Sequence, residues 1–585
     1  MQTEFTDVPT PPWQPHFGPS WTADGAVQFR IWAPTTERAE LHLPGRAVRL
    51  RRNVNDTHTA TVKGLKPGDR YRIALDGDGP FPDPWSRWQP EGAHGPSALV
   101  APAGRITHRP VPSAIAQATY ELHVGTFTRA GTYLGVTADL RRLKRMGLDT
   151  VQLMPLAEFP GRWNWGYDGA YFHAPTRAYG SPDDLRTLIA AAHREGLAVL
   201  HDVVFNHLGP DGAYIYRFAP SFFTDLHQTL WGGAIDYHRP EVRRTVTDAA
   251  RWWIQQYGFD GLRLDATHAI FDSSEPHILA EIGTAARQAY PAAYVVAEDH
   301  RNEVDLVRRH QLDAVLADDF HHALRVTLTG EHDGYFAHYA GSPEEIARAI
   351  QDGWIHQGGR SGYAGPGTST EGLGARSFVF CIENHDQVGN RARALHLASL
   401  VSPAQYRVAS SLLLLSPERV LLFQGQEFAS RGNFFYFTDH HDELGRHVTE
   451  GRRREFGGFQ EYRDHPELIP DPQSEETFRR SRLSRADQKQ NVWAVRLYDE
   501  LFQLRLTDPV LKRPDREATR AWAEGAIIYV ERTAGRRRRL LAATLSGDPD
   551  AALPAGRFLF HTEEKRFGGT GKPTLTAPGA ILVDP

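Results

Sequence analysis

The chain has 585 residues, of which 41% are hydrophobic and 11% aromatic, and its formal net charge is -5. These proportions are typical of a folded globular protein and exclude a chain that is disordered throughout. The slightly acidic balance argues against binding to nucleic acid or another polyanion. The length exceeds that of one compact core, so we expect more than one domain.

The cysteine content and the lengths of the apolar runs indicate in which cellular compartment the protein is located. Cys381 is the one cysteine, so no internal disulfide or cysteine-based zinc cluster can form. It stands in the apolar run FVFCI, where we expect a small core residue. The first residues, MQTEFTDVPTPPW, lack the basic start and apolar core of a secretory signal, and the longest apolar run, SLLLLSP, is too short to span a membrane. We therefore predict a soluble protein located in the cytoplasm, without a membrane partner.

The amino-terminal region alternates short β-type runs with Gly/Pro turns. Examples are VQFRIWAP at 27–34, AELHL at 39–43 and YRIAL at 71–75. Short strands at this spacing predict an Ig-like β-sandwich over residues 1–105. A linker, APAGRITHRPVP, follows it.

The pattern changes between about 117 and 508, where short apolar runs alternate with helical segments. One helical segment is 181–196, with Ser181 as its N-cap, and the last is 497–508. Eight such alternations predict a parallel (β/α)8 TIM barrel over residues 106–510. The eight runs cover residues 119–127, 150–156, 198–207, 261–266, 294–299, 314–320, 377–386 and 420–427.

Two long segments between predicted strands and a carboxyl-terminal region complete the chain. We predict that 157–180 and about 321–376 are long loops, which in a barrel are functional or mobile. Residues 511–585 return to β patterning and predict a small β-sandwich that contains a hairpin over 526–547. The run Arg536–Arg539 fits a solvated hairpin turn better than a phosphate-binding patch.

Polar residues crowd the predicted carboxyl ends of five strands, where barrel enzymes place their chemistry. A single polar residue there fits a structural ion pair. Five strands with such ends are hard to explain by stability, because each buried charge costs several kcal/mol unless it is paired. The residues are Asp202, Asn206 and His207; Arg263 and Asp265; Glu298 and Asp299; Asp318, Asp319, His321 and His322; Asn384, His385 and Asp386.

Two of these carboxylates are suited to different roles. Period-two alternation places Arg263 and Asp265 on one side of their strand, and a guanidinium there would hold Asp265 ionised, as a nucleophile requires. Glu298 follows the apolar run YVVA, and a dry setting would raise its pKa, as a general acid requires. Two carboxylates with split roles indicate a retaining glycosidase.

Other side chains fit a sugar substrate. Asp386 could stabilise an oxocarbenium-like transition state, while His207 and His385 donate hydrogen bonds to hydroxyl groups. Because sugars present flat apolar faces, aromatic residues could stack on them. The candidates are Trp163, Trp165 and Tyr167, with Trp231, Tyr237 and Tyr363 as further ones.

Metal and nucleotide cofactors are disfavoured. Carboxylates with histidines can bind iron, manganese or zinc, but no tight ligand spacing such as H-x-x-x-H occurs. Neither G-x-G-x-x-G nor a P-loop pattern opens a helix. We predict no cofactor and no catalytic metal, and a structural cation stays open.

Four segments, in order, resemble the signature regions of the α-amylase superfamily: DVVFNH (202–207), GLRLDATH (261–268), VVAED (295–299) and NHD (384–386). The resemblance covers most of the chain and implies a retaining α-glucan enzyme. It implies that Asp265 is the nucleophile, Glu298 the general acid/base and Asp386 the transition-state stabiliser. It further implies substrate contacts at the cleaved sugar by Arg263, His207, His385 and Tyr167.

Within that superfamily, DDFHHALRVTLTGEHDGYFAHY (318–339) and NHDQVGNRA (384–392) resemble the malto-oligosyltrehalose trehalohydrolases. This implies hydrolysis of the α-1,4 bond next to a terminal trehalose, with a small oligosaccharide as the partner. The substrate contacts that it implies add Asp202, Asn206, His268, Asp318, Asp319, His321, His322, Gln387 and Asn390. The chain departs from the family pattern at Gln424, Gln426 and Glu383. The alternatives are a glycogen branching enzyme with the same triad and an inactive glucan-binding module.

Overall fold

The computed structural model describes residues 13–103, 109, 115–229, 231–358, 367–456 and 468–585, without the side chain of residue 455. The amino-terminal strands are β1 (Gly18–Trp21), β2 (Val27–Trp32), β3 (Ala39–Leu43), β4 (Arg46–Arg52), β5 (Thr57–Val62), β6 (Arg70–Leu75), β7 (Asp78–Phe81) and β8 (Ser97–Ala98). They pair antiparallel in the order β1-β2-β5-β4-β3-β6-β7, and β8 pairs with β6. Alternate residues of β2 and β3 are buried, as expected for strands with one face on a core.

Eight parallel strands close into a barrel, and each of the eight predicted runs overlaps one of them. Their residues are almost all buried, because a parallel sheet inside a ring of helices has no solvent face. The predicted TIM barrel is therefore confirmed. The barrel strands are β9 (Ala118–Leu122), β10 (Thr150–Leu153), β13 (Ala198–Val203), β16 (Gly261–Leu264), β17 (Tyr294–Ala297), β18 (Ala314–Leu316), β19 (Phe378–Phe380) and β20 (Arg419–Phe423).

Helices fill the intervals between the strands. The longer helices are Leu140–Met146, Pro182–Arg194, Pro240–Trp252, Ile278–Ala289, Asp318–Thr329, Pro343–Asp352, Pro403–Leu415, Asp442–Phe456 and Val492–Thr507. The shorter helices are Val124–Phe127, Tyr133–Val136, Ile215–Phe218, Asp305–Arg308, His385–Gly389, Glu475–Arg480 and Ala486–Gln490. In the described residues, no helix is both long and apolar enough to cross a bilayer.

Local sequence explains where these helices begin. Ser181 caps the helix Pro182–Arg194 in a capping box. The Asp184 N–H donates to Ser181 Oγ at 3.2 Å, and the Ser181 N–H donates to Asp184 Oδ2 at 2.8 Å. The last barrel helix, Val492–Thr507, begins five residues before the predicted 497. Helix ends are the least certain part of a prediction from periodicity.

The two long segments that were predicted to be loops contain more regular secondary structure than expected. The first contains a two-stranded sheet of β11 (Ala157–Glu158) and β12 (Tyr171–Pro175). The second is not a loop throughout, because it carries the 3-10 helix Gly334–His338 and the helix Pro343–Asp352. Ser342 caps the latter, and its apolar residues Ile346 and Ile350 are fully buried. A further hairpin, β14 (Phe223–Thr229) and β15 (Gly232–Ile235), follows β13.

The carboxyl-terminal strands are β21 (Thr519–Glu524), β22 (Ile527–Ala534), β23 (Arg537–Thr544), β24 (Arg557–His561) and β25 (Gly579–Asp584), in the order β21-β22-β23-β25-β24. The predicted hairpin is β22–β23. Arg539 is not in a solvated turn, because its Nε atom pairs with Asp508 Oδ2 at 2.9 Å and its side chain is buried. The flanking β regions are confirmed, and the boundaries 1–105, 106–510 and 511–585 stay predictions.

Candidate active site

Three carboxylates from neighbouring strands surround the buried guanidinium of Arg263. Arg263 Nη1 donates to Asp202 Oδ1 at 2.8 Å and to Asp265 Oδ1 at 2.7 Å, and Nη2 lies 3.7 Å from Glu298 Oε2. Asp202 and Arg263 are register partners on β13 and β16. Asp265 directly follows β16, so the expectation that it shares a side with Arg263 is confirmed.

Glu298 is placed to carry a proton at neutral pH. Burial, together with the negative charges of Asp265 and Asp386, raises its pKa to about 8 against the opposing charge of Arg263. The Ala266 N–H donates to Glu298 Oε2 at 2.6 Å. Ala266 has a φ of 40°, a strained left-handed conformation for a residue with a Cβ, and such strain is typical of functional sites. The direction of this shift agrees with the rise in the pKa of Glu298 that the sequence predicted.

Asp386 is held in the ionised form by a charged histidine. Burial alone would raise its pKa, but His385, whose Nε2 lies 3.3 Å from Asp386 Oδ2, lowers it to about 2. Burial opposes a charge on His385 too, yet Asp386 and Glu121 raise the pKa of this imidazole well above its usual value. His385 Nδ1 lies 2.9 Å from Glu121 Oε1.

Tyr167 connects the two halves of this carboxylate cluster. Its Oη donates to Asp202 Oδ2 at 2.8 Å and lies 2.7 Å from His385 Nε2. Its ring stacks on that of His385 with centroids 5.3 Å apart. Tyr167 therefore links Asp202, which is bound to Arg263, with His385, which pairs with Asp386.

A residue from outside the barrel strands completes the support of Asp386. Asn390 Nδ2 donates to Asp386 Oδ1 at 2.8 Å, and Arg452 Nη1 donates to Asn390 Oδ1 at 3.1 Å. Arg452 Nη2 also donates to the Gly389 carbonyl at 2.6 Å. Arg452 lies on the helix Asp442–Phe456, which follows the last barrel strand.

A cavity of about 730 Å³ opens beside Glu298 and Asp386. Its walls come from the segments that follow β17, β18 and β19. The lining residues are Glu298, His300, Asn302, Asp318, Asp319, His322, Tyr335, His338, Tyr339, His356, Asp386, Gln387 and Asn390. This volume lies within the range of pockets that bind small-molecule ligands.

The adjacent carboxylates Asp318 and Asp319 differ in their surroundings. Asp319 accepts hydrogen bonds from Tyr339 Oη at 2.7 Å, Asn302 Nδ2 at 3.0 Å and the backbone N–H of His356 at 2.9 Å. Because Asp319 accepts hydrogen bonds from all of these donors, its carboxylate holds the cavity wall in place. Burial and the nearby Glu298 raise the pKa of Asp318 well above its usual value, which leaves it able to donate a hydrogen bond.

Neutral histidines line this side of the site. Burial lowers the pKa of His321 to about 3 and that of His322 well below its usual value. His322 lines the cavity, with Nε2 3.5 Å from Gln387 Nε2 and Nδ1 3.1 Å from Tyr339 Oη. His321 Nδ1 instead lies 3.4 Å from Cys381 Sγ, and this cysteine is buried as expected.

The remaining predicted contacts lie on the side of β13 and β16. His207 Nε2 lies 2.9 Å from the Tyr167 carbonyl, and its ring stacks on Trp231 with centroids 4.0 Å apart. Asn206 is buried, and neither amide atom has a hydrogen-bond partner among the described residues. His268 packs 4.0 Å from the His300 ring, and burial with that neighbour lowers its pKa to about 4.

Three of the six aromatic residues predicted to stack on a sugar are core residues instead. Trp163 and Trp165 are 4% and 3% exposed, because they form a core cluster with Phe434 and Phe437. Tyr237 is 1% exposed and donates its hydroxyl proton to a backbone carbonyl. Periodicity does not separate a buried aromatic residue from one that faces a ligand. Tyr167 and Trp231 reach the site, and Tyr363 lies outside the described residues.

The three departures from the family pattern have internal partners. Gln424 Oε1 accepts from the His123 N–H at 3.1 Å, and Gln426 Nε2 donates to Tyr498 Oη at 2.9 Å. Glu383 accepts from the Leu397 N–H at 2.7 Å. All three side chains are buried, so these positions support the barrel end from within.

The sequence interpretation missed Glu121 and Arg452, which act on the site through His385 and Asn390. The signal for Glu121 was a lone charge inside the apolar strand TYEL, whereas nothing local marks Arg452 among its neighbouring arginines. In the parts of the chain that are described, no group of three or more His, Cys, Asp or Glu side chains could hold a metal ion.

Comparisons with known proteins agree on the family. The model of the α-amylase catalytic domain matches residues 119–221. A malto-oligosyltrehalose trehalohydrolase from Deinococcus radiodurans is 42% identical over 95% of this chain and 94% of its own length. Another, from Saccharolobus solfataricus, is 38% identical over 80% of this chain and 83% of its own length. A branching enzyme from Mycobacterium bovis is 34% identical, but over only 30% of this chain and 25% of its own length.

Solved structures agree with the fold. A Salmonella typhimurium protein solved as a candidate α-amylase superposes with a TM-score of 0.89 at 35% identity, over 98% of this chain and 100% of that one. A pullulanase from Anoxybacillus, in complex with maltotetraose, superposes with a TM-score of 0.70 at 17% identity over 97% of this chain and 87% of its own. With the near full-length relatives, these comparisons show that the chain belongs to the malto-oligosyltrehalose trehalohydrolase family of the α-amylase superfamily.

Proposed function

We propose that this protein is a retaining glycoside hydrolase that cleaves the α-1,4 bond next to the terminal trehalose of malto-oligosyltrehalose, which releases trehalose and a malto-oligosaccharide. One observation carries the proposal: a Glu298 whose pKa is about 8 lies beside an Asp265 bound to Arg263. A protonated general acid and a nucleophilic carboxylate beside one guanidinium are what double displacement requires.

In the first step, Asp265 attacks the anomeric carbon of the glucose next to trehalose. Arg263 occupies Oδ1 of Asp265, which leaves Oδ2 for the attack. Glu298 gives its proton to the glycosidic oxygen as the bond to that oxygen breaks, and trehalose leaves. The glucan is then held as an ester on Asp265. Asp386, ionised by His385, stabilises the positive charge that develops on the sugar ring.

In the second step, the ionised Glu298 takes a proton from a water molecule. The resulting hydroxide attacks the anomeric carbon, the ester bond breaks, and Asp265 leaves as a carboxylate. The product keeps its anomeric configuration, because the carbon is inverted twice. No cofactor takes part in either step.

The other predicted residues fit supporting roles around this reaction. We assign sugar contacts to Tyr167, Asn206, His207, His268, Asp318, His322, Gln387 and Asn390, with Asp202, Asp319, His321 and His385 holding them in position. The location in the cytoplasm remains part of the proposal.

The experiment is to incubate the purified protein with maltotriosyltrehalose and, separately, with amylose, and to identify the products by chromatography. We expect trehalose and maltotriose from the first and little change in the second. New α-1,6 branches in amylose without trehalose would instead indicate a branching enzyme. Asp265→Asn is expected to abolish turnover and to retain binding of maltotriosyltrehalose in calorimetry; retained turnover would refute the nucleophile assignment.

A further inference from the structure

Two donors approach the carboxyl group of Glu298, and both approach the same oxygen. The backbone N–H of Ala266 donates to Oε2 at 2.6 Å, and Nη2 of Arg263 lies 3.7 Å from that atom. In a protonated carboxyl group, the oxygen that carries no proton is the one that accepts from such donors. The proton of Glu298 is therefore expected on Oε1.

The backbone of Ala266 is held in an unfavourable conformation. Its φ of 40° and ψ of 54° lie in the left-handed region, which a residue with a Cβ adopts only when its surroundings fix it. Ala266 precedes the 3-10 helix Thr267–Ala269, and the Thr267 N–H donates to the Glu298 carbonyl at 3.0 Å. Two consecutive N–H groups thus bind Glu298, one through its side chain and one through its main chain.

The side chain of Thr267 connects this turn to the residue that follows Glu298. Its Oγ1 lies 2.7 Å from Asp299 Oδ2 and 3.0 Å from the Glu298 carbonyl. A hydroxyl has one proton to donate, and the carboxylate is the closer and stronger acceptor. Thr267 is 1% exposed and the side chain of Asp299 is fully buried, so this hydrogen bond is shielded from water.

Asp299 is itself held in one orientation by Arg301. The Arg301 backbone N–H and Nε donate to Asp299 Oδ1 at 3.0 Å and 2.9 Å, and Nη2 donates to Oδ2 at 2.6 Å. Thr267, Asp299 and Arg301 are not among the residues that line the cavity beside Glu298. They therefore act on the reaction through the groups that they hold.

We infer that Thr267 and Asp299 are positioning residues for the general acid. They hold the turn at Ala266, so that its N–H occupies Oε2 of Glu298 and the proton for the leaving group stands on Oε1. The inference rests on the proposed function, in which Glu298 gives this proton to the glycosidic oxygen. The bond from that oxygen to the anomeric carbon breaks, trehalose leaves as a neutral alcohol, and Glu298 becomes a carboxylate.

The test compares two substrates that differ in their need for an acid. Maltotriosyltrehalose needs a proton on the departing oxygen, whereas α-maltotriosyl fluoride releases a fluoride ion that departs without one. Thr267→Val removes the hydroxyl and keeps the shape of the side chain. It is expected to lower kcat/KM for maltotriosyltrehalose about 10- to 100-fold, because a small displacement of the acid weakens the transition state, and to change that for the fluoride less than about twofold.

Three further variants make the comparison specific. Thr267→Ser keeps the hydroxyl and should restore most of the activity on maltotriosyltrehalose. Thr150→Val is the matched control, because Thr150 is fully buried at the start of β10 and its hydroxyl donates to Asp149 Oδ1 at 2.6 Å; it should keep the wild-type ratio of the two kcat/KM values. If Thr267→Val does not fold, Asp299→Asn weakens the same hydrogen bond and should show the same selective loss.

Two results would overturn the inference. Equal losses on both substrates would show that Thr267 supports the whole site rather than the acid, and wild-type rates on both would show that Ala266 is held without it. A wild-type protein that releases no trehalose from maltotriosyltrehalose would refute the proposed function instead, so the two failures are distinguishable.

Discussion

At the scale of single residues, the proposed role of Glu298 as general acid predicts how the reaction depends on pH. Its pKa of about 8 means that Glu298 is protonated below that pH and loses its proton above it. We expect kcat/KM to fall above about pH 8, since kcat/KM reports groups of the free enzyme. Rate measurements between pH 5 and pH 10 at constant ionic strength test this; an alkaline limb that begins below about pH 6 would contradict it.

The raised pKa of the same carboxyl group also makes the stability of the fold depend on pH. Its pKa is near 4.3 in an unfolded chain and about 8 in the folded protein. The folded state therefore binds the proton more tightly, and this stabilisation is present at low pH and is lost as the pH rises through 8. Glu298→Gln, which stays uncharged, should raise the melting temperature at pH 9 by about 2 °C or more relative to the wild type.

The control for this stability prediction is the same comparison at pH 4, where both side chains are neutral. There the two melting temperatures should nearly coincide. A variant that is less stable than the wild type at pH 9 would show that the ionised Glu298 is well accommodated by Arg263.

At the scale of elements, the helix Asp442–Phe456 supports the active site from outside the barrel strands. Arg452 on this helix holds Asn390, which in turn holds Asp386. Arg452→Gln should lower kcat about 10- to 100-fold with little change in KM, because a small displacement of Asp386 weakens the transition state most. Arg446→Gln is the control, since Arg446 is exposed on the same helix and pairs with Glu450; an equal loss in both variants would indicate a general effect on the helix.

We expect the capping box of the helix Pro182–Arg194 to stabilise the fold without affecting the reaction. Ser181→Ala removes the side chain that accepts from the Asp184 N–H, so it should cost about 1 kcal/mol in unfolding free energy. The kcat and KM should not change, because the side chain of Ser181 pairs with Asp184 and not with a residue of the candidate active site. Urea unfolding with assays of activity tests both parts, and a fall in kcat would contradict the second.

At the scale of the whole molecule, a buried ion pair joins the carboxyl-terminal sheet to the barrel. Arg407 on a barrel helix contacts Glu563, which follows β24, and the two side chains are 4% and 6% exposed. Glu563→Ala leaves a buried guanidinium without this carboxylate and should destabilise the protein by about 3–5 kcal/mol. Thermal unfolding checks this, with Glu564→Ala as the control, because Glu564 pairs with Arg566 near the surface and should cost less than about 1 kcal/mol.

The sequence by itself determined the barrel, because eight apolar runs separated by helical patterns admit few other folds. It also determined the group Asp202, Arg263, Asp265 and Glu298, since neighbouring parallel strands end at the same edge. It did not distinguish Trp163 and Trp165, which are core residues, from aromatic residues that face a ligand.

Only the tertiary structure decided which distant segments meet at that edge. Arg452 reaches Asn390, and Tyr339 reaches Asp319 in the cavity wall, through contacts between parts of the chain that no local pattern relates. The physical reason is that periodicity reports which face of an element is buried, whereas the partner buried against it depends on how the whole chain packs.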